Sequence, residues 1–279
     1  MKSFRRAVAA LLVLVASSSL ASDKVTVGRN WSVNQQTSAN AADHTTWQRL
    51  LTRYVDQRGY VDYAAWKSDN ADMRSLDQYL AELSKSNPKL TATHNARLAY
   101  WINAYNAVTV KGILREYPTT SIKNHVAHIW GYNIWDDLQL VTPTGQLSLN
   151  QMEHDILRKM GDPRIHFAIV CASKGCPRLL NDAYTLDKVD KQLTSNAKEF
   201  FTDTRRFNYD AQTGTLNVSP ILKWFAEDFG SNQQQRLAAI ADYLPDATAQ
   251  NIATSGKARV HYLGYDWSIN AQVQRTARP

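Results

Sequence analysis

Apolar residues recur at three- and four-residue spacing along much of the chain, and this pattern predicts a mainly helical protein. Trp47, Leu50, Leu51 and Tyr54 share one helical face. Leu76, Tyr79, Leu80 and Leu83 share another, which ends at Asn87-Pro88. Thr93 is placed to cap a longer helix whose stripe is Leu98, Trp101, Ile102, Tyr105, Val108 and Ile113, stopped before Pro118. LQLVTPTGQLSL reads as a hairpin about Thr144-Gly145, and Ser148 then precedes a helix with Met152, Ile156 and Leu157 inward. IHFAIVC is short, continuous and apolar, which predicts a buried strand. Beyond it come a helix over 185–202, a second hairpin in YDAQTGTLNVS, short helices from Ile221 to Phe229 and from Gln233 to Tyr243, and a closing strand in ARVHYLGYDWSIN. Helices and strands are mixed without regular alternation. The expected fold is α+β, a mainly helical single domain with a small, largely antiparallel sheet.

The polar pattern divides the ends from the middle. Lys2, Arg5 and Arg6 precede the apolar run AVAALLVLVA and the small residues Ser19 and Ala21, the layout of a secretory leader over residues 1–21. The run is about half of the roughly 20 residues a membrane span needs. Residues 22–43 are rich in Asn, Ser, Thr and Gln and predict a flexible arm, loose or draped on the surface; 44–270 form the domain, and 271–279 a polar tail. The 279 residues carry 32 Lys+Arg against 25 Asp+Glu, a formal +7 that would suit an acidic partner. Removing the leader's three basic residues leaves about +4, too little to specify one. The expectation is a periplasmic or secreted protein with no membrane anchor after leader cleavage and no nucleic-acid partner.

The chemistry centres on the only two cysteines, in CASKGCPRL. A Cys171–Cys176 disulfide would suit an exported chain. Alternatively Cys176 is a nucleophile: Pro177 suits the first position of a helix, whose positive end would lower the thiol pKa. A third arrangement, zinc held by Cys171, Cys176, His154 and His166, has the right ligand types but no recognised spacing. No other cofactor is indicated. A thiol nucleophile needs a base and a group that orients the base. His166 lies on the segment leading to Cys176, and His154 sits on a helix with Glu153 beside it; Asp266, Asn103 or Asn106 would orient the imidazole. Asn103 and Asn106 lie on an otherwise apolar helix, so they bond either to backbone or to substrate, where an Asn amide can stabilise an oxyanion. Trp130, Trp135 and Trp267 are flat surfaces suited to lining a groove or packing in the core.

Five ordered blocks, YWINAYNAVT, LSLNQMEHDILR, DPRIHFAIVCASKGCPRL, SPILKWFAEDFG and YDWSIN, resemble the family catalogued as domain of unknown function 547, from about Trp47 to Asn270. The resemblance implies that Trp101, Asn103, Tyr105, Asn106, Glu153, His154, His166, Cys171, Ser173, Cys176, Pro177, Asp266 and Trp267 are characteristic positions. It implies no activity. Intracellular members of the family move the weight from a disulfide towards thiol chemistry. The expectation is therefore a cysteine-dependent acyl-transfer enzyme of the peptidase or amidase class acting on a peptide-like or small-molecule substrate. Cys176, His154, His166, Asn103, Asn106 and Glu153 would be catalytic, and Trp101, Tyr105, Cys171, Ser173, Asp266 and Trp267 would bind. The rival is a non-catalytic binding module with a Cys171–Cys176 disulfide.

Overall fold

The computed structural model describes residues 24–126 and 132–273; the proposed leader, Trp130 and the tail beyond 273 lie outside them. The chain opens with strand β1 (Val25–Val27), then helices α1 (Thr45–Tyr54), α2 (Tyr63–Ser68), α3 (Asn70–Leu83) and α4 (His94–Glu116). Helix α5 (Ile134–Asp137) leads into the hairpin β2 (Leu138–Thr142) and β3 (Gly145–Ser148), followed by α6 (Leu149–Gln151). Next come α7 (Val189–Thr202), the hairpin β4 (Phe207–Asp210) and β5 (Thr215–Val218), α8 (Ile221–Trp224), α9 (Ala226–Phe229), α10 (Gln233–Ile240), α11 (Ala247–Thr254) and β6 (Arg259–Tyr262). The fold is α+β, as the mixed pattern predicts.

The strands form two three-stranded sheets, β1-β2-β3 and β4-β5-β6, rather than one. Each combines the predicted antiparallel hairpin with a parallel third strand, β1 beside β2 and β6 beside β5. The arm is draped rather than loose. Val25 pairs with Leu138, and the Trp31 indole N–H donates to the Ala81 carbonyl at 2.7 Å, which fastens the arm along α3.

Helix α4 is the axis of the larger core. Thr93 caps it through the Ala96 N–H, and it buries residues on nearly every side between α3, α7 and β2. Its ring of apolar positions is wider than one stripe because neighbours cover it all round. A second core gathers Phe167, Phe200, Phe201 and Phe207 with the second sheet and α8 to α11. The segment 165–170 joins the two, with Ile165 and Ala168 in the first core and Phe167 in the second.

That segment is not the strand its apolar run predicts. Residues Pro163–Phe167 form a 3-10 turn, with Asp162 capping it through the Arg164 N–H and Pro163 at its start. A continuous apolar run signals burial on both sides, not a particular backbone, and here burial between two cores satisfies it. The backbone polar groups that a strand would pair with neighbours are met by an α4 side chain: Asn106 Nδ2 donates to the Ala168 carbonyl and its Oδ1 accepts from Val170 N–H, both at 3.0 Å.

Candidate functional site

Where the two cores meet, the structure leaves a cavity of about 230 Å³. Its polar end carries Tyr105, Glu153, His154 and His166, its floor Cys171 and Cys176, and its walls are largely aromatic, with Trp135, Trp224, Phe225, Tyr265 and Trp267 among them. Junctions between packed units are a usual place for ligand sites.

Glu153 and His154 arrive on an irregular helix. Helix α6 opens with a capping box between Ser148 and Gln151, then loosens into a π-helical turn over Met152–Leu157 before tightening to a 3-10 turn over Arg158–Met160. Such a turn shifts the side chains after it around the axis, and π-turns recur at functional sites. Here it buries Glu153, whose Oε2 accepts a hydrogen bond from the Tyr105 hydroxyl at 3.0 Å, while His154 stays at the exposed rim. Burial raises the Glu153 pKa, against the opposing pull of His154, Tyr105 and Arg158.

His166 is almost wholly buried and stacks on Phe225 with ring centres 4.1 Å apart. Its Nε2 lies 2.6 Å from Asp228 Oδ2. Asp228 also accepts from Arg158 Nε at 2.6 Å and Nη2 at 2.8 Å, and Arg158 Nη1 donates to His154 Nδ1 at 3.1 Å. Burial would raise the Asp228 pKa, but the hydrogen bonds from Arg158 and His166 outweigh it and hold the carboxyl below its usual range. Burial pushes His166 down to about 4, with Asp228 opposing. An ionised carboxylate only accepts, so neutral His166 carries its proton on Nε2 and keeps its lone pair on Nδ1. Arginine only donates, so His154 Nδ1 is likewise an acceptor.

The cysteines form a disulfide, and neither thiol is free. Cys171 N–H donates to Cys176 Sγ at 2.8 Å. Ser173 Oγ and the Tyr265 hydroxyl lie 3.0 and 3.1 Å from Cys171 Sγ, and Ser173 donates to the Tyr265 oxygen at 3.1 Å. Burial pushes the Tyr265 pKa up to about 12, so its proton stays available to the sulfur. Ala172, between them, has a left-handed backbone at φ 57°, which costs a non-glycine residue roughly 1–2 kcal/mol. The closing segment compensates: Lys174 N–H donates to the Ser268 carbonyl and Gly175 N–H to Asp266, both at 2.8 Å, and Asn270 N–H donates to Ala172 at 3.0 Å. A Cβ on Gly175 would stand 3.0 Å from the Tyr265 ring and from Asp266 N. A side chain here would have to push the ring or the Asp266 backbone back by a few tenths of an ångström.

The cavity thus unites Tyr105, Glu153, His154, His166, Cys171, Cys176 and Trp267 of the predicted site residues. Others fall elsewhere. Asn103 and Asn106 are structural, since Asn103 exchanges hydrogen bonds of 2.7 and 3.0 Å with the Tyr184 backbone just as Asn106 clamps Ala168 and Val170. In each amide the oxygen and one N–H are taken by backbone groups. Trp101 packs edge-on against Tyr100 inside the larger core. Ser173 acts on the disulfide through Tyr265, behind the cavity lining. Asp266 spends its side chain on Ser268 and braces the cysteine loop by its backbone, so it orients no histidine. No helix follows Pro177, and the donor facing Cys176 is a single N–H rather than a helix end. The disulfide also removes both sulfurs from the zinc arrangement, and among the described residues no cluster of three or more His, Cys, Asp or Glu is set to hold a metal. The orienting carboxylate is Asp228, which the sequence reading passed over; the signal available was its place in the SPILKWFAEDFG block.

Replacing Glu153 by Gln is expected to raise the melting temperature at neutral pH and leave it nearly unchanged near pH 4. A buried acid with a raised folded pKa contributes fully below its unfolded value of about 4.3 and loses that contribution as pH rises through the folded value. Gln accepts the Tyr105 hydrogen bond without a charge. Melting curves across that pH range check this, and an equal effect at both ends would contradict it.

Fold and site together define an α+β protein with a disulfide-floored, aromatic-walled cavity and a histidine fixed by a carboxylate. Residues 89–201 match the family model described as "Protein of unknown function, DUF547", so this segment is similar to that family. The segment contains Glu153, His154, His166 and both cysteines, whereas Asp228, Tyr265 and Trp267 lie beyond it. No curated protein and no solved structure matches the chain.

Proposed function

We propose that the cavity is the substrate site of a cysteine-dependent acyl-transfer enzyme that works with its cysteine pair reduced. One observation carries this reading: His166, held through Nε2 by Asp228 at 2.6 Å, lines the same cavity as Cys176. An imidazole fixed by a carboxylate and sharing a cavity with a cysteine supplies the parts of a general base and its nucleophile. Once the pair is open, His166 Nδ1 takes the Cys176 proton and the thiolate attacks a substrate carbonyl carbon. The carbonyl pair moves to oxygen, then returns as the leaving amine or alcohol departs with the proton from His166. Water hydrolyses the resulting thioester by the same proton transfers. Asp228 stabilises the imidazolium, and Cys171 N–H stabilises the thiolate before attack. Glu153, whose pKa burial raises, is placed to hydrogen-bond substrate at the polar end. The aromatic walls suit an apolar or flat acyl group, and in the exported setting proposed from the leader, peptide-like amides are the accessible class.

The rival, a binding module with a permanent disulfide, has one observation in its favour: both sulfurs are bonded to each other. Alkylation decides between them. Native protein reduced under mild conditions should be labelled at Cys176 near neutral pH, with labelling and hydrolysis of small activated esters both lost in Cys176→Ala. Reduced, folded protein whose Cys176 reacts no faster than an ordinary thiol, and which hydrolyses no ester, would leave the binding module.

A further inference from the structure

The disulfide itself is built for chemistry of a second kind. It closes only the short stretch between residues 171 and 176, the least effective way for a cross-link to restrict the unfolded chain. Two cores already hold the fold. The disulfide also lines the cavity, and its two residues differ: Cys171 is half-buried and Cys176 only 4 % exposed. Each sulfur faces a hydrogen-bond donor that would stabilise it as a thiolate, Cys171 N–H at Cys176 and the Ser173–Tyr265 relay at Cys171. A bond with a reachable sulfur on one side and a stabilised leaving group on the other has what exchange requires. A purely structural link needs neither donor.

From this geometry we infer that Cys171–Cys176 is a thiol–disulfide exchange centre that oxidises small thiols entering the cavity. An external thiolate attacks Cys171 Sγ and forms a mixed disulfide there, while the Cys171–Cys176 bond breaks and its electron pair goes to Cys176, which the Cys171 N–H receives. A second external thiolate attacks the external sulfur of the mixed disulfide. The small-molecule disulfide leaves, and Cys171 is released as a thiolate against the Tyr265 hydroxyl. Two external thiols lose two electrons and two protons, and the protein pair gains both. The first step frees Cys176, the nucleophile of the proposed acyl transfer, so exchange also turns that activity on. The exchange stands on the disulfide alone and survives if acyl transfer fails.

The test uses the oxidised full chain and glutathione as the thiol. Folded protein is equilibrated in glutathione buffers of graded ratio, quenched by alkylation and weighed by mass spectrometry. The pair should open without denaturant, and Cys176→Ala, with Cys171 charged by glutathione disulfide, should hold one glutathione adduct that leaves on adding further thiol. Tyr265→Phe should slow release of the glutathione held on Cys171 by about tenfold, through loss of the donor that receives the Cys171 thiolate. Circular dichroism confirms that each variant is folded. A pair that opens only after unfolding, or a Tyr265→Phe variant that releases the glutathione on Cys171 at the wild-type rate, overturns the proposal. Ester hydrolysis by chemically reduced protein is read separately and reports on acyl transfer alone.

Discussion

Asp228→Asn is expected to lower ester hydrolysis by the reduced protein by about 10²–10⁴-fold while leaving a folded chain, in the manner of a base that has lost its orienting carboxylate. Asp228 is the acceptor that fixes the His166 proton on Nε2 at 2.6 Å and leaves Nδ1 facing no other partner among the described residues. An amide in its place can present N–H to Nε2, which then must accept, and the proton moves to Nδ1, where it blocks the base. The imidazolium formed during attack also loses its counter-charge. Arg158, bonded to both Asp228 oxygens and to His154, keeps one partner at each end, so the loss of stability should be modest beside the loss of rate. Rates and melting temperatures measured on the same samples separate the two effects. A variant that melts earlier but hydrolyses within about threefold of wild type would make Asp228 a structural ion-pair residue only.

Asn106→Ala is expected to cost about 2–5 kcal/mol of stability, the sum of two buried backbone groups left unpaired at Ala168 and Val170. For a chain of this size that corresponds to a fall of roughly 5–15 °C in melting temperature. Thermal denaturation followed by circular dichroism gives the answer, and a change under about 2 °C for Asn106→Ala would refute the clamp. Because the clamp fixes the backbone immediately before Cys171, the reactivity of the cysteine pair should change in the same variant.

These two residues mark where sequence patterning succeeds and where it stops. Helical spacing of Trp47, Leu50, Leu51 and Tyr54, the Thr93 cap and the turn at Thr144-Gly145 are local signals, and each names an element that is present. The 166–170 run is also local, but its apolar continuity records burial, which a 3-10 turn between two cores meets as well as a strand. Much of the site's composition was legible, since Glu153, His154, His166 and the cysteines share the cavity. The pairings were not. Asp228 and His166 are 62 positions apart, and nothing in either segment's periodicity points to the other. The π-helical turn that separates buried Glu153 from exposed His154 was equally hidden, because the sequence around it reads as ordinary helix.

The brace of the cysteine loop has a consequence for the newly made chain. Lys174, Gly175 and Ala172 are held by Ser268, Asp266 and Asn270, and Asn270 is itself anchored to Tyr63 and Gly59. On a ribosome both thiols emerge well before the residues that shape the loop around them. The pair therefore meets its surroundings unguarded, and its proper setting is assembled last, by a stretch that reaches back to join the first and middle thirds of the molecule. Synthesis order makes this closing stretch the last part of the loop's setting to arrive.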